Sequence, residues 1–251
     1  MSANTNAACC SIPPVESSYQ PKGSYKTLGG LKTYVVGDPN SNRVITIVYD
    51  IFGFHPSTQQ GADILASQGF LVVMPDFFKG SPLPQELYPP TTDEAKQKVQ
   101  AFFAGPAAPA DNLKALSTFA TAASKEFTKV KYHAILGFCW GGKIAILASD
   151  KRDVFQATAV VHPAMVDPAD ARAISNPIIV LPSKDEPAED IKKFQDNLQD
   201  DIKSKSVFKT YDTMHHGWAA ARADLSDSEN KKKFAEAYED LANFFNKNVS
   251  K

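Results

Sequence analysis

The stretch ILGFCWGGKIAILA, residues 135–148, sets an apolar run, three glycines around one cysteine, and a second apolar run side by side. The first run suits a buried strand and the second a helix. The junction Gly137-Phe138-Cys139-Trp140-Gly141-Gly142 fits the small-x-nucleophile-x-small pattern of a nucleophile elbow, with cysteine where serine is commoner. Glycines two positions either side of a sharp turn let strand and helix approach without collision. The central sulfur then emerges beside a helix N-terminus, whose free N–H groups and positive dipole end favour a thiolate. The backbone N–H of Trp140 is one expected oxyanion donor. A buried cysteine that only fills space fits the same fourteen residues, so partner residues must decide.

Those partners belong at strand ends. RVITIVYD (43–50), FLVVMP (70–75), VKYHAILGF (130–138), FQATAVVHP (155–163), NPIIVLPS (176–183) and SVFKTYD (206–212) read as strands, preceded by LKTYVVG (31–37). Helix-compatible segments alternate with them, among them STQQGADILASQ (57–68), with Ser57 or Thr58 as N-cap, and an amphipathic closing helix over 227–248. This alternation predicts an α/β domain with a mostly parallel central sheet and helices on both faces, where ligands bind beyond the carboxyl ends of the strands. Residues 1–24 read as an N-terminal arm and 25–251 as one domain. The Pro- and aromatic-rich span 77–109 is expected to fold over one end of the sheet and line a pocket.

The loop after the last strand holds His215 and His216 before Gly217, and the chain order nucleophile, acid, histidine puts the base at His216, with His215 as the alternative. The acid then lies between, and Asp185 beyond Leu181 is the candidate, with Glu186 adjacent and Asp212 as a weaker choice. Ser183 and Glu186 also fit a capping box for the next helix.

Net charge is −1 with mixed signs along the chain, so no basic face for nucleic acid or anionic lipid is expected. No apolar run is long enough to span a bilayer, and the N-terminus does not resemble a secretory signal, which predicts a cytoplasmic protein. Three cysteines, with Cys9 and Cys10 adjacent, make no disulfide framework, and no His/Cys spacing suits a metal site.

With these residues in place the chain resembles the dienelactone hydrolase family of α/β-hydrolases, in particular its fungal members. GFCWGG, SKDEP, HHGWAAARADL, DIFGFHP and MPDFF carry the resemblance, which runs from about Lys26 to the final helix. It implies the α/β-hydrolase fold, a Cys139–His216–Asp185 triad, an oxyanion hole from the backbone of Ile51 and Trp140, and no cofactor. The implied activity is cysteine-dependent hydrolysis of small esters or lactones, of the carboxymethylenebutenolidase kind. Asp50 stands where bacterial members have a glutamate that pairs with the resting thiol. Lys79 and Arg222 are the candidates for binding a substrate carboxylate. The competing reading is a small-molecule-binding or redox-responsive protein that keeps the fold and the thiol without turnover.

Overall fold

Apolar, β-branched runs pair into the sheet that the alternation predicts. The structure is a computed structural model and describes residues 18–150 and 154–249; Cys9, Cys10 and most of the expected arm lie outside them. Its strands are β1 (Ser24–Leu28), β2 (Leu31–Val36), β3 (Arg43–Val48), β4 (Leu71–Pro75), β5 (Tyr132–Phe138), β6 (Ala157–Val161), β7 (Ile178–Leu181) and β8 (Val207–Phe208). They form one sheet in the order β1-β2-β4-β3-β5-β6-β7-β8. The β1–β2 and β2–β4 pairs are antiparallel, and every pair from β4–β3 to β7–β8 is parallel. β3 to β6 are buried almost throughout, because helices cover both faces of a parallel sheet.

The covering helices are α1 (Pro56–Ser67), α2 (Asp93–Ala104), α3 (Pro109–Glu126), α4 (Trp140–Ala148), α5 (Ala188–Asn197), α6 (Asp200–Lys203) and α7 (Ser228–Asn248). α1 packs against α7, and α3 against α4. The stripe Phe234, Tyr238, Leu241 and Phe245 of α7 is fully buried, as its helical spacing predicts. Among the described residues no helix is long and apolar enough to cross a membrane.

Two local expectations need correction, and one strand was not expected. The N-cap of α1 is neither Ser57 nor Thr58: Pro56 fixes the first helical residue, and the Nδ1 of His55 accepts the Ser57 N–H at 3.3 Å. Ser57 and Thr58 lie inside the first turn, fully buried. The last strand is shorter than SVFKTYD suggests, continuing past Phe208 only as a bridge between Ser183 and Tyr211. Residues 24–28 form an edge strand that their polar, exposed pattern concealed.

The described end of the arm is held on α1 by one buried carboxylate. Asp63 accepts from Tyr34 Oη at 2.6 Å, from Tyr19 Oη at 2.7 Å and from the Lys22 N–H at 2.8 Å. Burial and that carboxylate push the Tyr34 phenol well above its usual pKa.

Candidate active site

Cys139 occupies the turn from β5 to α4 with φ 53° and ψ −115°, a conformation that costs a non-glycine residue about 1–3 kcal/mol. The surroundings over-determine it. Its N–H donates to the Val161 carbonyl at 3.2 Å, and its own carbonyl accepts from Gly142 and Ala164, each at 3.0 Å. A Cβ on Gly137 would lie 2.1 Å from the Gly141 carbonyl oxygen, and one on Gly141 would lie 2.1 Å from that of Val48. No side chain larger than hydrogen fits either position. Cys139 itself is 3% exposed.

Two backbone donors flank this turn. Among the described residues, neither the Ile51 N–H nor the Trp140 N–H donates to a protein group. Both residues are buried, so these amides are available only to something in the site. The Ile51 peptide is fixed from both sides. Asp50 Oδ1 accepts the Phe52 N–H at 2.9 Å, and the Ile51 carbonyl accepts the Leu83 N–H at 2.9 Å. Trp140 is fixed by its indole, which donates to the Ala107 carbonyl at 2.8 Å and packs on Phe78 at 4.7 Å between centroids. The span 77–109 is thereby anchored on the elbow and on the Ile51 turn, where Phe52 also meets Tyr88 edge-on at 5.9 Å.

His216 arrives from the loop between β8 and α7 and is 1% exposed. Its Nδ1 meets Glu186 Oε1 at 2.6 Å. Beside an ionised carboxylate Nδ1 carries the proton, which leaves Nε2 as the basic nitrogen. The expected orienting acid, Asp185, does a different job: its Oδ2 accepts the backbone N–H of His216 at 2.9 Å. The local turn explains the exchange. Asp185 donates its N–H to Ser183 Oγ at 3.2 Å, and the Ser183 N–H donates to the other Glu186 oxygen, so Glu186 turns inward while Asp185 stays half-buried. The Ser183–Glu186 pairing is therefore a closed turn ahead of α5, whose N-cap is Pro187. The acid and histidine loops are further joined by the Lys184 N–H on the Met214 carbonyl at 3.1 Å.

His215 faces elsewhere, with Nε2 3.1 Å from the Arg222 carbonyl, and burial lowers its pKa. Asp212 lies two residues before Met214, and among the described residues it makes no hydrogen bond or ion pair with the imidazole. Asp50 is 2% exposed and spans two loops, its Oδ2 accepting the Ala221 N–H at 3.1 Å while Oδ1 holds Phe52. It thus ties the Ile51 turn to the histidine loop.

The two candidate cations separate sharply. Arg222 is 2% exposed, and its stem lies against Gly217, where a Cβ would come within 2.7 Å of Arg222 Cδ. Its charge helps to lower the pKa of both His162 and His215, after burial. Lys79 is exposed on the Asp76–Gly80 turn, at φ 52°, and among the described residues its side chain makes no ion pair. The Asp76 carboxylate holds that turn by accepting the Gly80 N–H at 2.7 Å, which directs Lys79 outward.

Two residues stand closer to His216 than their place in the sequence suggested: Glu186, read as a neighbour of Asp185 and a capping partner of Ser183, and His162, read as a weaker histidine before a proline. Glu186 carried a visible signal in the Ser-x-x-Glu spacing, which fixes a turn and so the direction of its last residue. His162, at the end of β6, carried none, because nothing in the chain order reports a ring contact with His216. Among the described residues no three His, Cys, Asp or Glu side chains converge as metal ligands would. A cavity of about 300 Å³ between α3 and α4 opens near His133 at the start of β5, at the other end of the strands from Cys139.

The model of the dienelactone hydrolase family matches residues 31–249. An uncharacterized AIM2 family protein of Schizosaccharomyces pombe is 37% identical over 245 residues, covering 95% of this chain and 98% of that protein. A carboxymethylenebutenolidase homolog of Homo sapiens is 25% identical over 232 residues, covering 86% of this chain and 87% of that protein. Among solved structures, a dienelactone hydrolase from Anabaena variabilis superposes with a TM-score of 0.65 at 11% identity, covering 93% of this chain and all of that one. A monoglyceride lipase from Saccharomyces cerevisiae superposes at 0.58 with 12% identity, covering 96% and 99%. Both likenesses fix the α/β-hydrolase fold.

Proposed function

The chain belongs to the dienelactone hydrolase family, and from that premise we propose that it hydrolyses small esters or lactones with Cys139 as nucleophile. The observation that carries this reading is the strained Cys139 at a helix N-terminus, with two unused backbone N–H groups beside it. A buried His216–Glu186 pair stands on a neighbouring loop. Space-filling would need none of these together.

In this mechanism the Cys139 thiol gives its proton to Nε2 of His216, and Glu186 steadies the imidazolium without itself taking a proton. The thiolate attacks the ester carbonyl, and the negative oxygen of the tetrahedral intermediate is received by the Ile51 and Trp140 N–H groups. Collapse expels the alkoxide or enolate, which takes the proton from His216 and leaves an acyl thioester on Cys139. His216 then deprotonates a water that cleaves the thioester and restores the thiol. A substrate carboxylate, if present, is met by Arg222 and not by Lys79, since only Arg222 is enclosed with the histidine loop.

The test is turnover of p-nitrophenyl acetate and of a dienelactone by wild type and Cys139→Ala. Cys139-dependent release of product supports the assignment. Absence of such turnover with both compounds would leave a binding or redox-responsive protein on the same fold.

A further inference from the structure

His162 is fully buried at the end of β6, with φ 38° and its N–H donating to the Leu181 carbonyl at 2.9 Å. Its ring meets Phe138, the residue before Cys139, at 5.7 Å, and His216 at 5.1 Å with an interplanar angle of 64°. Among the described residues neither ring nitrogen has a hydrogen-bond partner outside His162 itself. Buried polar atoms are nearly always paired because an unpaired one is costly, so these nitrogens do nothing for the fold. The ring contact with His216 is what remains.

That contact has the edge-to-face geometry and spacing in which aromatic rings attract, and a cation on one partner strengthens the attraction. Burial keeps His162 uncharged, and so do the neighbouring charges of His216, Arg222 and His215, all on one loop. His216 is also met by Glu186 at its Nδ1 and by Asp185 at its backbone N–H. The β5 side supplies apolar Phe138 and then Cys139.

We propose that His162 is a positioning residue, whose uncharged aromatic ring holds the His216 imidazole against Glu186 and favours its protonated form over the free base. The inference rests on His216 serving Cys139 as proposed above. A smaller share of imidazolium would weaken the thiolate–imidazolium pair, so loss of the ring raises the pH at which Cys139 becomes reactive.

The experiment follows the pH dependence of Cys139 alkylation by iodoacetamide, resolved at that residue by mass spectrometry, together with kcat and KM for p-nitrophenyl acetate. It compares wild type, His162→Phe and His162→Leu, with His162→Met as the space-filling variant should leucine fail to fold. His162→Phe keeps a ring and discards both nitrogens, so its alkylation profile and kcat stay within about threefold of wild type. His162→Leu, or Met, slows alkylation near pH 6 by about three- to tenfold and lowers kcat similarly at unchanged KM. A wild-type profile in the aliphatic variants reduces His162 to filler and overturns the proposal. Equal losses in His162→Phe and His162→Leu would place the effect on a nitrogen and overturn it too. Alkylation reads the Cys139–His216 pair even if no ester is turned over, so failure of the hydrolase reading is seen separately.

Discussion

Glu186 and Asp185, neighbours in the chain, hold the same histidine at two different points: Glu186 Oε1 lies 2.6 Å from the His216 Nδ1, and Asp185 Oδ2 accepts the His216 backbone N–H at 2.9 Å. One carboxylate sets the ring and its tautomer, and the other sets the loop that carries the ring. Neutralising the first leaves the shape intact but removes the charge that stabilises imidazolium, a change that costs serine proteases about 10⁴-fold in kcat. Glu186→Gln should therefore lower kcat/KM for p-nitrophenyl acetate by about 10²- to 10⁴-fold, and Asp185→Asn by about tenfold or less. The reverse ranking in the same assay would return the orienting role to Asp185.

Asp50 supports a second prediction. Its carboxylate accepts one N–H from the Ile51 turn, at Phe52, and one from the histidine loop, at Ala221. An amide in its place has one oxygen for two buried donors, so Asp50→Asn leaves an N–H facing an NH₂ group. The expected cost is about 1–3 kcal/mol of stability. Turnover should fall with it, because the Ile51 N–H and His216 lose their common tie. Urea unfolding and kcat for the same variant measure both, and a variant with unchanged midpoint and unchanged kcat would show the tie to be idle.

The elbow predicts a reversal of the usual glycine rule. Within a helix Gly→Ala normally gains up to about 1 kcal/mol. Gly141 lies in α4, yet its added methyl would sit 2.1 Å from the Val48 carbonyl oxygen, backbone that cannot swing aside. Gly141→Ala should lose about 3 kcal/mol or more, whereas Gly142→Ala, whose methyl would meet Pro163 Cβ at 3.2 Å, should lose far less. Denaturant midpoints for the two variants decide it, and equal midpoints would mean the elbow relaxes.

The glycines explain why the tight strand-to-helix turn at Cys139 was legible in the sequence alone: Gly137 and Gly141 are demanded by contacts two residues either side of Cys139. The parallel sheet was legible for a similar reason, since strands buried on both faces, such as β3 and β4, read as unbroken apolar runs. β1 was not, because its residues are polar and mostly exposed at an antiparallel edge. The choice between Asp185 and Glu186 turns on two hydrogen bonds inside a four-residue turn, and chain order is silent about those. His55 was missed as a cap because the usual capping residues, Ser57 and Thr58, stood just beyond Pro56.

His55 supplies the last prediction, and its sign follows from burial. Enclosed at the start of α1, 7% exposed, its imidazole is held neutral, with its pKa lowered from 6.5 to about 4. In the unfolded chain it titrates near its usual value, so between those two pH values the unfolded state binds more protons than the folded state. Stability is therefore full above about pH 6.5 and falls as pH drops toward 4, by up to about 1.4 kcal/mol per pH unit for this one group. Burial also lowers the pKa of His133, His162 and His215, which steepens the acid limb in the same direction. His55→Asn keeps an N-cap acceptor for the Ser57 N–H and cannot titrate. Urea midpoints measured from pH 7 to pH 4.5 should show wild type losing stability relative to His55→Asn as the pH falls, with the variant on the shallower curve. Parallel curves would mean that His55 gains its proton in the folded state as easily as in the unfolded one, and that its burial does not hold at acid pH.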